Sequence, residues 1–538
     1  MINGTSKSTL LILLLALPIT TFAQSGGSGG TNYFLIGVLL IAALLLIMAV
    51  LQVADSLMHI EAKKIGIDPE ANGYSFFSNN SSNVMENGKE VTKLKKGFDI
   101  LLEGEAAKTL EQGTANTYAI QPGNFIGMSP IPKVTVEAGD EVKAGDPIMF
   151  DKKRPDVIYC APVSGEVVEV RRGAKRSIKE VIILADKGEM TYKSITAPDL
   201  KTVNRADLVK FLLENGAWPL INERPFDVVP DVNAVPRDIF ISTFDTAPLA
   251  PDNNFVVQGQ EAHFQKGLDV LKKLTPGHVY LGLNSNEDPS AAFADATGVE
   301  KRWYNGPHPA GNVGIQIHHT HPINTTDKVW TLGVQECIQI GKLFNEGHFD
   351  ASRVVVIAGA ELKEPKYVRT HQGACVGELL QGNMKSEKDR IVAGDVLSGE
   401  QKAAGEFLNF HDDQITVLEE GDEYEMFGWL LPLTPRPTIS NTYPNALFGE
   451  MKFQANTNTH GEQRAFVVTG QYEKVLPMDI YPQHLMKAIL VNDFERMEGL
   501  GIYELSEEDV ALCEFVCTSK QPLQSILRDG LEIMRSQS

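Results

Sequence analysis

Two lysines near a hairpin tip, three histidines at 318, 319 and 321, and two cysteines at 513 and 517 have types and spacing that could do chemistry. Lys152 and Lys153 lie in the run GDPIMFDKKRPDVIYCAPVSGEVVEV, residues 145–170, between two apolar stretches. A lysine at the tip of such a turn can hold a covalent swinging arm. His318, His319 and His321 belong to IHHTHP over 317–322. On a strand, His319 and His321 would share one face and His318 would point away. Two imidazoles need a third ligand to make a metal site; none stands at clear spacing, so no metal is expected. Cys513 and Cys517 would lie one turn apart on a helix. An iron–sulfur cluster takes four thiolates, whereas Cys160, Cys337 and Cys375 are isolated. Two packed thiols are the expectation. No Gly-x-Gly-x-x-Gly follows a strand, and the turn after Ile357 is only Ala-Gly-Ala. Neither a dinucleotide fingerprint nor a phosphate loop is present.

The lysine-bearing hairpin has a recognisable setting. Gly139-Asp140 and Gly145-Asp146 mark two tight reversals. Val157, Val163, Val167, Val168, Val170 and the run 178–184 supply β-branched strands. This order resembles the barrel-sandwich hybrid of biotinyl and lipoyl domains. The carrier site is not reproduced: the turn reads FDKKRPD over 150–156, the lysines sit off the expected offset from Ala161, and Pro155 reshapes the turn. Lys152, Lys153 and Arg154 are instead expected as an exposed basic tip, with Arg171, Arg172, Lys175 and Arg176 as a second basic cluster. Local positive charge on an acidic chain suits docking to anionic lipid or to an acidic face of a neighbouring protein; a solvated loop is the plainer alternative.

The elements that must hold these residues follow from composition and pattern. A chain of 538 residues has room for three or four domains. Its formal charge of −20 argues against a nucleic-acid partner, because phosphates repel such a surface. Five cysteines form no disulfide framework, and the body reads as reduced and cytosolic. At the N-terminus, Lys7 precedes an apolar run too short to span a bilayer, and Thr21, Phe22 and Ala23 precede Gln24. Residues 1–24 read as a signal peptide or first membrane segment. Residues 33–53 carry no charge; about 20 residues at 1.5 Å each cover roughly 30 Å of hydrocarbon, so a transmembrane helix is expected. Lys63 and Lys64 follow it, which places the C-terminal side in the cytoplasm. Residues 54–92 are expected as a tether, disordered where Ser and Asn dominate at 78–87, with Met85 as an alternative start.

Beyond the barrel (93–200), a strand at 239–243, a helical pattern over 260–274, Pro276-Gly277 and a strand at 279–283 make a β-α-β unit. The expected domain is α/β and Rossmann-like over 201–350. Residues 351–440 resemble a β-grasp module of the soluble-ligand-binding type. A C-terminal helical domain, 441–538, contains a helix start at 505–509 with acids in its first turn. The fold class is thus multidomain α/β with a barrel-sandwich hybrid and one N-terminal transmembrane helix.

Several stretches occur together in one known family: LKKGFDI over 94–100, APVSG over 161–165 with RGAKR over 172–176, RPF over 224–226 and PRDIF over 236–240 with Asp245-Thr246. Val329-Trp330, GDVLSG over 394–399 and ALCEFVC over 511–517 complete the series. From about Lys93 onward the chain resembles the A subunit of the sodium-translocating NADH:quinone oxidoreductase. The resemblance implies a bacterial inner-membrane pump of six subunits, with NADH, flavins and an iron–sulfur centre on other subunits and quinone as the substrate of the whole. It implies a component of the cytoplasmic face with no covalent cofactor or redox centre of its own. Its implied partners are the B to F subunits of the pump, chiefly the membrane-embedded B subunit. The resemblance also links such a component to quinone binding, for which His318, His319 and His321 are the sequence candidates. A lipoyl- or biotin-type carrier and a membrane-tethered ligand-binding module are the alternatives. The N-terminal extension departs from the family pattern.

Overall fold

The computed structural model describes residues 33–64, 81–86, 88–113, 115–424, 435–440 and 451–537. They belong to two compact units that part between Ser78 and Asn79. The first unit is the helix α1, Tyr33–Lys64, 32 residues long. Its Leu, Ile, Ala and Met residues suit a helix, and no proline interrupts it. Its described apolar side chains, Leu44, Leu45 and Leu46 among them, are exposed. Among the described residues no helix is long and apolar enough to cross a membrane. The expected span of 33–53 is observed as helix.

The second unit opens with a hairpin, β1 (Ser81–Glu86) and β2 (Lys89–Leu94). This corrects the expected disorder over the described part of that stretch, 81–86. Val91 and Leu94 are buried, and β2 lies parallel to a strand of the α/β sheet. The Ser- and Asn-rich composition of β1 is that of an outer edge strand, where polar residues discourage further pairing. After β3 (Ala107–Gln112) the barrel follows: β4 (Thr117–Ile120), β5 (Lys133–Val134), β6 (Glu141–Val142), β7 (Pro147–Asp151), β8 (Arg154–Cys160), β9 (Gly165–Arg172) and β10 (Ile178–Ala185). One face of it runs β4-β10-β9-β6 and the other β5-β7-β8. Val157, Val167, Val181 and Ile183 are fully buried, as inward positions of short strands should be.

The helix α2 (Arg205–Glu214) leads into the α/β domain: β11 (Asn222–Arg224), β12 (Asp238–Ser242), α3 (Glu261–Lys272), β13 (Val279–Asn284), β14 (Glu300–Asn305), α4 (Val313–Thr320), β15 (Val329–Thr331) and α5 (Val334–Asn345). The sheet order is β1-β2-β14-β13-β12-β15-β11. Strands β2, β14, β13, β12 and β15 are parallel, and both edges are antiparallel. Helices α3 and α5 pack closely, with Gly267 against the Cys337 carbonyl, where a Cβ would come within 2.1 Å. A third sheet holds β16 (Ser352–Ala358), β17 (Lys366–His371), β18 (Arg390–Ala393), β19 (Glu400–Lys402) and β20 (Gln414–Leu418). Its order is β19-β18-β20-β16-β17-β3, so β3 returns from before the barrel to complete it. The C-terminal region is helical: α6 (Pro482–Leu490), α7 (Glu507–Phe515) and α8 (Leu523–Gln537). Helix α8 buries Leu523, Ile526, Leu527, Leu531 and Met534 along one stripe. Helix α7 starts at the expected place, with Ser506 and Asp509 forming a capping box.

Candidate functional site

From β12 the chain builds β13 and β14 on one side, then returns to add β15 on the other. A parallel sheet opens a crevice at the C-terminal ends of its strands where the winding reverses in this way. Helix α5 begins beside that crevice, and its unpaired N–H groups favour an anion. The chain supplies the anion itself. Glu336, in the first turn of α5, pairs with Arg353 of β16 and with His411 Nδ1 at 3.2 Å. Both Glu336 and Arg353 are buried. Burial opposes the charge on Glu336, but Arg353 and His411 outweigh it and hold the carboxyl at about 2.

On the β12 side, Thr246 Oγ1 meets His308 Nδ1 at 3.2 Å and accepts the Gly311 N–H at 3.0 Å. The backbone N–H of His308 donates to Asp99 Oδ1 at 2.8 Å. Arg224, at the end of β11, donates to Glu508 Oε1 at 2.9 Å and lies 3.7 Å from both Asp509 and Asp227. Burial pushes the Arg224 guanidinium down, but these carboxylates outweigh it and hold it above its ordinary value. Burial raises the Asp509 carboxyl against the pull of Arg224, and burial lowers His308 against the pull of Asp245 and Asp395. Asp413, before β20, is pushed up to about 7, by burial foremost and despite Arg353. Asp245 itself is exposed. Carboxylates from the α/β domain and the C-terminal helices, Asp227, Glu508 and Asp509, thus surround the Arg224 side chain. Such a crevice repels the pyrophosphate of a dinucleotide, and what it offers is ion pairing between domains and groups able to take up protons.

The sequence candidates stand elsewhere. Residues 317–322 do not form a strand: His318 and His319 end helix α4, and His321 caps it. This corrects the face assignment made from strand geometry. Ile315 and Ile317 imitate a period of two, but tertiary packing decides. A Cβ on Gly314 would come within 2.3 Å of Asp509 Oδ2, so the start of this helix is fitted to α7. His318 Nδ1 pairs with Glu504 Oε2 at 2.6 Å, and its Nε2 accepts the Asp479 N–H at 3.2 Å. His319 Nε2 meets the Pro477 carbonyl at 2.7 Å. Burial and its neighbour His318 bring His319 down to about 3. His321, half exposed, meets Asp238 Oδ2 at 2.9 Å. Two of the three histidines therefore join the α/β domain to the C-terminal region. Among the described residues no group of three or more His, Cys, Asp or Glu side chains is placed to hold a metal ion.

At the hairpin tip, Lys152 and Lys153 are exposed, while Arg154 donates through Nη1 to the Val229 carbonyl at 2.7 Å. The tip is thereby tied to the α/β domain. In the second basic cluster, Arg171 is engaged by Glu169 and Glu180. Arg172, Lys175 and Arg176 are exposed, and Lys175 and Arg176 take left-handed φ values of 53° and 64°. Cys513 lies in α7 and Cys517 just beyond its end; both are buried, with Cys517 Sγ 2.8 Å from Tyr472 Oη. The residues that sequence reasoning missed are Glu336, Arg353, His308, Glu508 and Asp509. Arg224 and Asp245 lay within stretches noted for the family resemblance, which was a signal of importance without a role.

A barrel-sandwich hybrid, a parallel α/β sheet whose reversal crevice is lined with carboxylates, a third mixed sheet and a helical end define a multidomain α/β body. The family described as "NqrA N-terminal barrel-sandwich hybrid domain" matches residues 92–186, "NqrA second alpha/beta domain" 203–349 and "NQRA C-terminal domain" 354–403. The chain is 39% identical over 453 residues to the A subunit of the Na(+)-translocating NADH-quinone reductase of Rhodopirellula baltica, covering 83% of this chain and 98% of that protein. It is 38% identical over 450 residues to the protein of the same name from Alcanivorax borkumensis, with 83% and 99% covered. For that of Vibrio atlanticus the identity is 36% over 447 residues, with 82% and 99% covered. The chain belongs to the NqrA family, the A subunits of Na(+)-translocating NADH-quinone reductases.

Proposed function

We propose that this chain serves as the A subunit of a membrane-bound pump that couples NADH oxidation and quinone reduction to sodium export. The observation that carries the reading is the end-to-end relationship to NqrA proteins, 98% of whose length is matched in the first case. The reversal crevice supports a role without a redox centre of its own. Its helix N-terminus is taken by Glu336, and its walls carry Asp245, Glu508 and Asp509. NADH, flavins and the iron–sulfur centre then belong to the B to F subunits, and this body completes the assembly. The α/β domain is read as Rossmann-like and the third sheet as β-grasp. No observation favours a carrier role; Arg154 beside the tip lysines is instead bonded to the Val229 carbonyl of the α/β domain.

The finer reading places the body on the cytoplasmic side of a bacterial inner membrane, against the B subunit. The uncharged run 33–53 on helix α1 acts as the anchor, with Lys63 and Lys64 behind it. The exposed Arg172, Lys175 and Arg176 act as a docking patch for an anionic surface. Quinone, where this body meets it, is met in an apolar cleft facing the B subunit. His318 and His319 work as clamps between domains and not as quinone ligands, because their ring nitrogens are engaged by Glu504, Asp479 and Pro477. The test is deletion of this chain from its own cell. Sodium-stimulated NADH:quinone activity of the membranes should vanish and return with the full chain. Activity that survives the deletion would refute the assignment.

A further inference from the structure

The two basic hairpin tips of the barrel project from the same end of it. Strand β8 leaves the first tip and ends at Cys160. The chain then turns beside Asp146 and Asp186: the Ala161 N–H donates to the Asp146 carbonyl at 2.8 Å, and the Asp186 N–H to the Ser164 carbonyl at 3.0 Å. Strand β9 runs back, and its hairpin with β10 puts residues 173–177 at the end that β8 had left. The two tips are also linked directly. The Ile178 N–H donates to the Pro130 carbonyl at 3.1 Å, and Lys133 pairs with Phe150, just before Lys152. Along that path the tips lie within roughly 25 Å of each other. Lys133, Lys152, Lys153, Arg172, Lys175 and Arg176 are all exposed there. Against them the segments 129–133, 152–156 and 172–177 set only the Asp156 carboxylate in solvent. Between the tips stand Pro130 and Ile131, the latter 38% exposed.

The second tip accepts strain in order to be basic. The Ser177 N–H donates to the Ala174 carbonyl at 3.0 Å, and Lys175 and Arg176 between them take left-handed φ values of 53° and 64°. This is a type I′ turn, whose central pair is most often Asn-Gly because a Cβ disfavours positive φ. Asn-Gly would serve the backbone better, so what Lys175 and Arg176 contribute is charge.

We propose that this end of the barrel docks on a bilayer surface of anionic phospholipid, an inference that rests on the reading of the body as part of a membrane-bound pump. Six solvated cations suit the diffuse charge of many headgroups, where each adds a similar increment of attraction. Pro130 and Ile131 suit the boundary between headgroups and acyl chains. An acidic protein face is better met by cations that neighbouring carboxylates hold in place, and none of the six meets a carboxylate among the described residues. The net charge of −20 makes the contact selective: an anionic bilayer repels the rest of the body and attracts this end.

The experiment is amide hydrogen exchange of the full chain, with no other subunit present, in nanodiscs of phosphatidylcholine alone and of phosphatidylcholine mixed with phosphatidylglycerol. Exchange over 129–133 and 172–178 should slow at least about 10-fold in the anionic discs relative to the neutral ones, and high salt should reverse the effect. Lys175→Asn combined with Arg176→Gly should remove most of that slowing while raising Tm, because the turn loses its strain together with its charge. The rise in Tm separates lost docking from lost folding. Equal exchange in the two kinds of disc would overturn the proposal. So would slowing that appears only when the other subunits are present, which would assign the patch to an acidic protein face. Because the chain is measured alone, either negative result leaves its place in the pump standing; that assignment falls separately, to the deletion test.

Discussion

Arg224 is 3% exposed and faces Asp227, Glu508 and Asp509. Removing one partner of a buried ion pair leaves its counter-charges desolvated and unpaired, which costs about 3–5 kcal/mol. Arg224→Ala should therefore lower the stability read by urea unfolding by that amount, and a loss below about 1 kcal/mol would show that the pair is not structural. His319 yields a pH prediction. Its folded pKa, about 3, lies below its ordinary 6.5. As pH falls below 6.5 the unfolded chain takes up a proton that the folded chain refuses, so stability is full above 6.5 and is lost toward 3. The slope from this one group approaches about 1.4 kcal/mol per pH unit. His319→Gln keeps a donor toward Pro477 and removes the slope. Urea unfolding at pH 7.5 and 5.5 reads it, and an unchanged difference between the two would contradict the account. His318, Glu504 and Asp479, which face the same junction, stay in place in that comparison. Little of this was legible beforehand. The three histidines stood out because they are adjacent in sequence, whereas the crevice residues are far apart in sequence and meet only through the fold.

At the scale of elements, the barrel was readable because Gly-Asp turns and β-branched alternation are local signals. The α/β unit was readable for the same reason: a strand, an amphipathic helix and Pro276-Gly277 follow one another directly. The hairpin β1–β2 was legible in Asn87-Gly88, a two-residue hairpin signal, but was passed over for the Ser- and Asn-rich composition around it; its docking on β14, more than 200 residues away, was not readable. The Lys89 ammonium sits 3.5 Å from the Trp303 ring centroid, which helps fasten it. Val91 is 1% exposed, opposite Trp303. Val91→Asp puts an unpaired charge there and should detach the hairpin, with a loss of several kcal/mol in thermal or urea unfolding. Wild-type stability in that variant would show that the hairpin adds nothing to the sheet. The helix over 313–320 was missed because its local propensity is weak and its packing on α7 is long-range.

For the whole molecule, the family resemblance covered the body but not the extension before it. On the proposed reading, an acidic, carboxylate-lined body joins an assembly whose electron carriers lie in its other subunits, with α1 as its hold on the membrane. The most direct measurement is affinity purification of the tagged full chain from gently solubilised membranes of its own organism. It should bring down the remaining subunits with sodium-stimulated NADH:quinone activity, and the flavin and iron should partition with those partners when the complex is taken apart. Recovery of the chain alone, or of flavin bound to it after separation, would contradict the central claim.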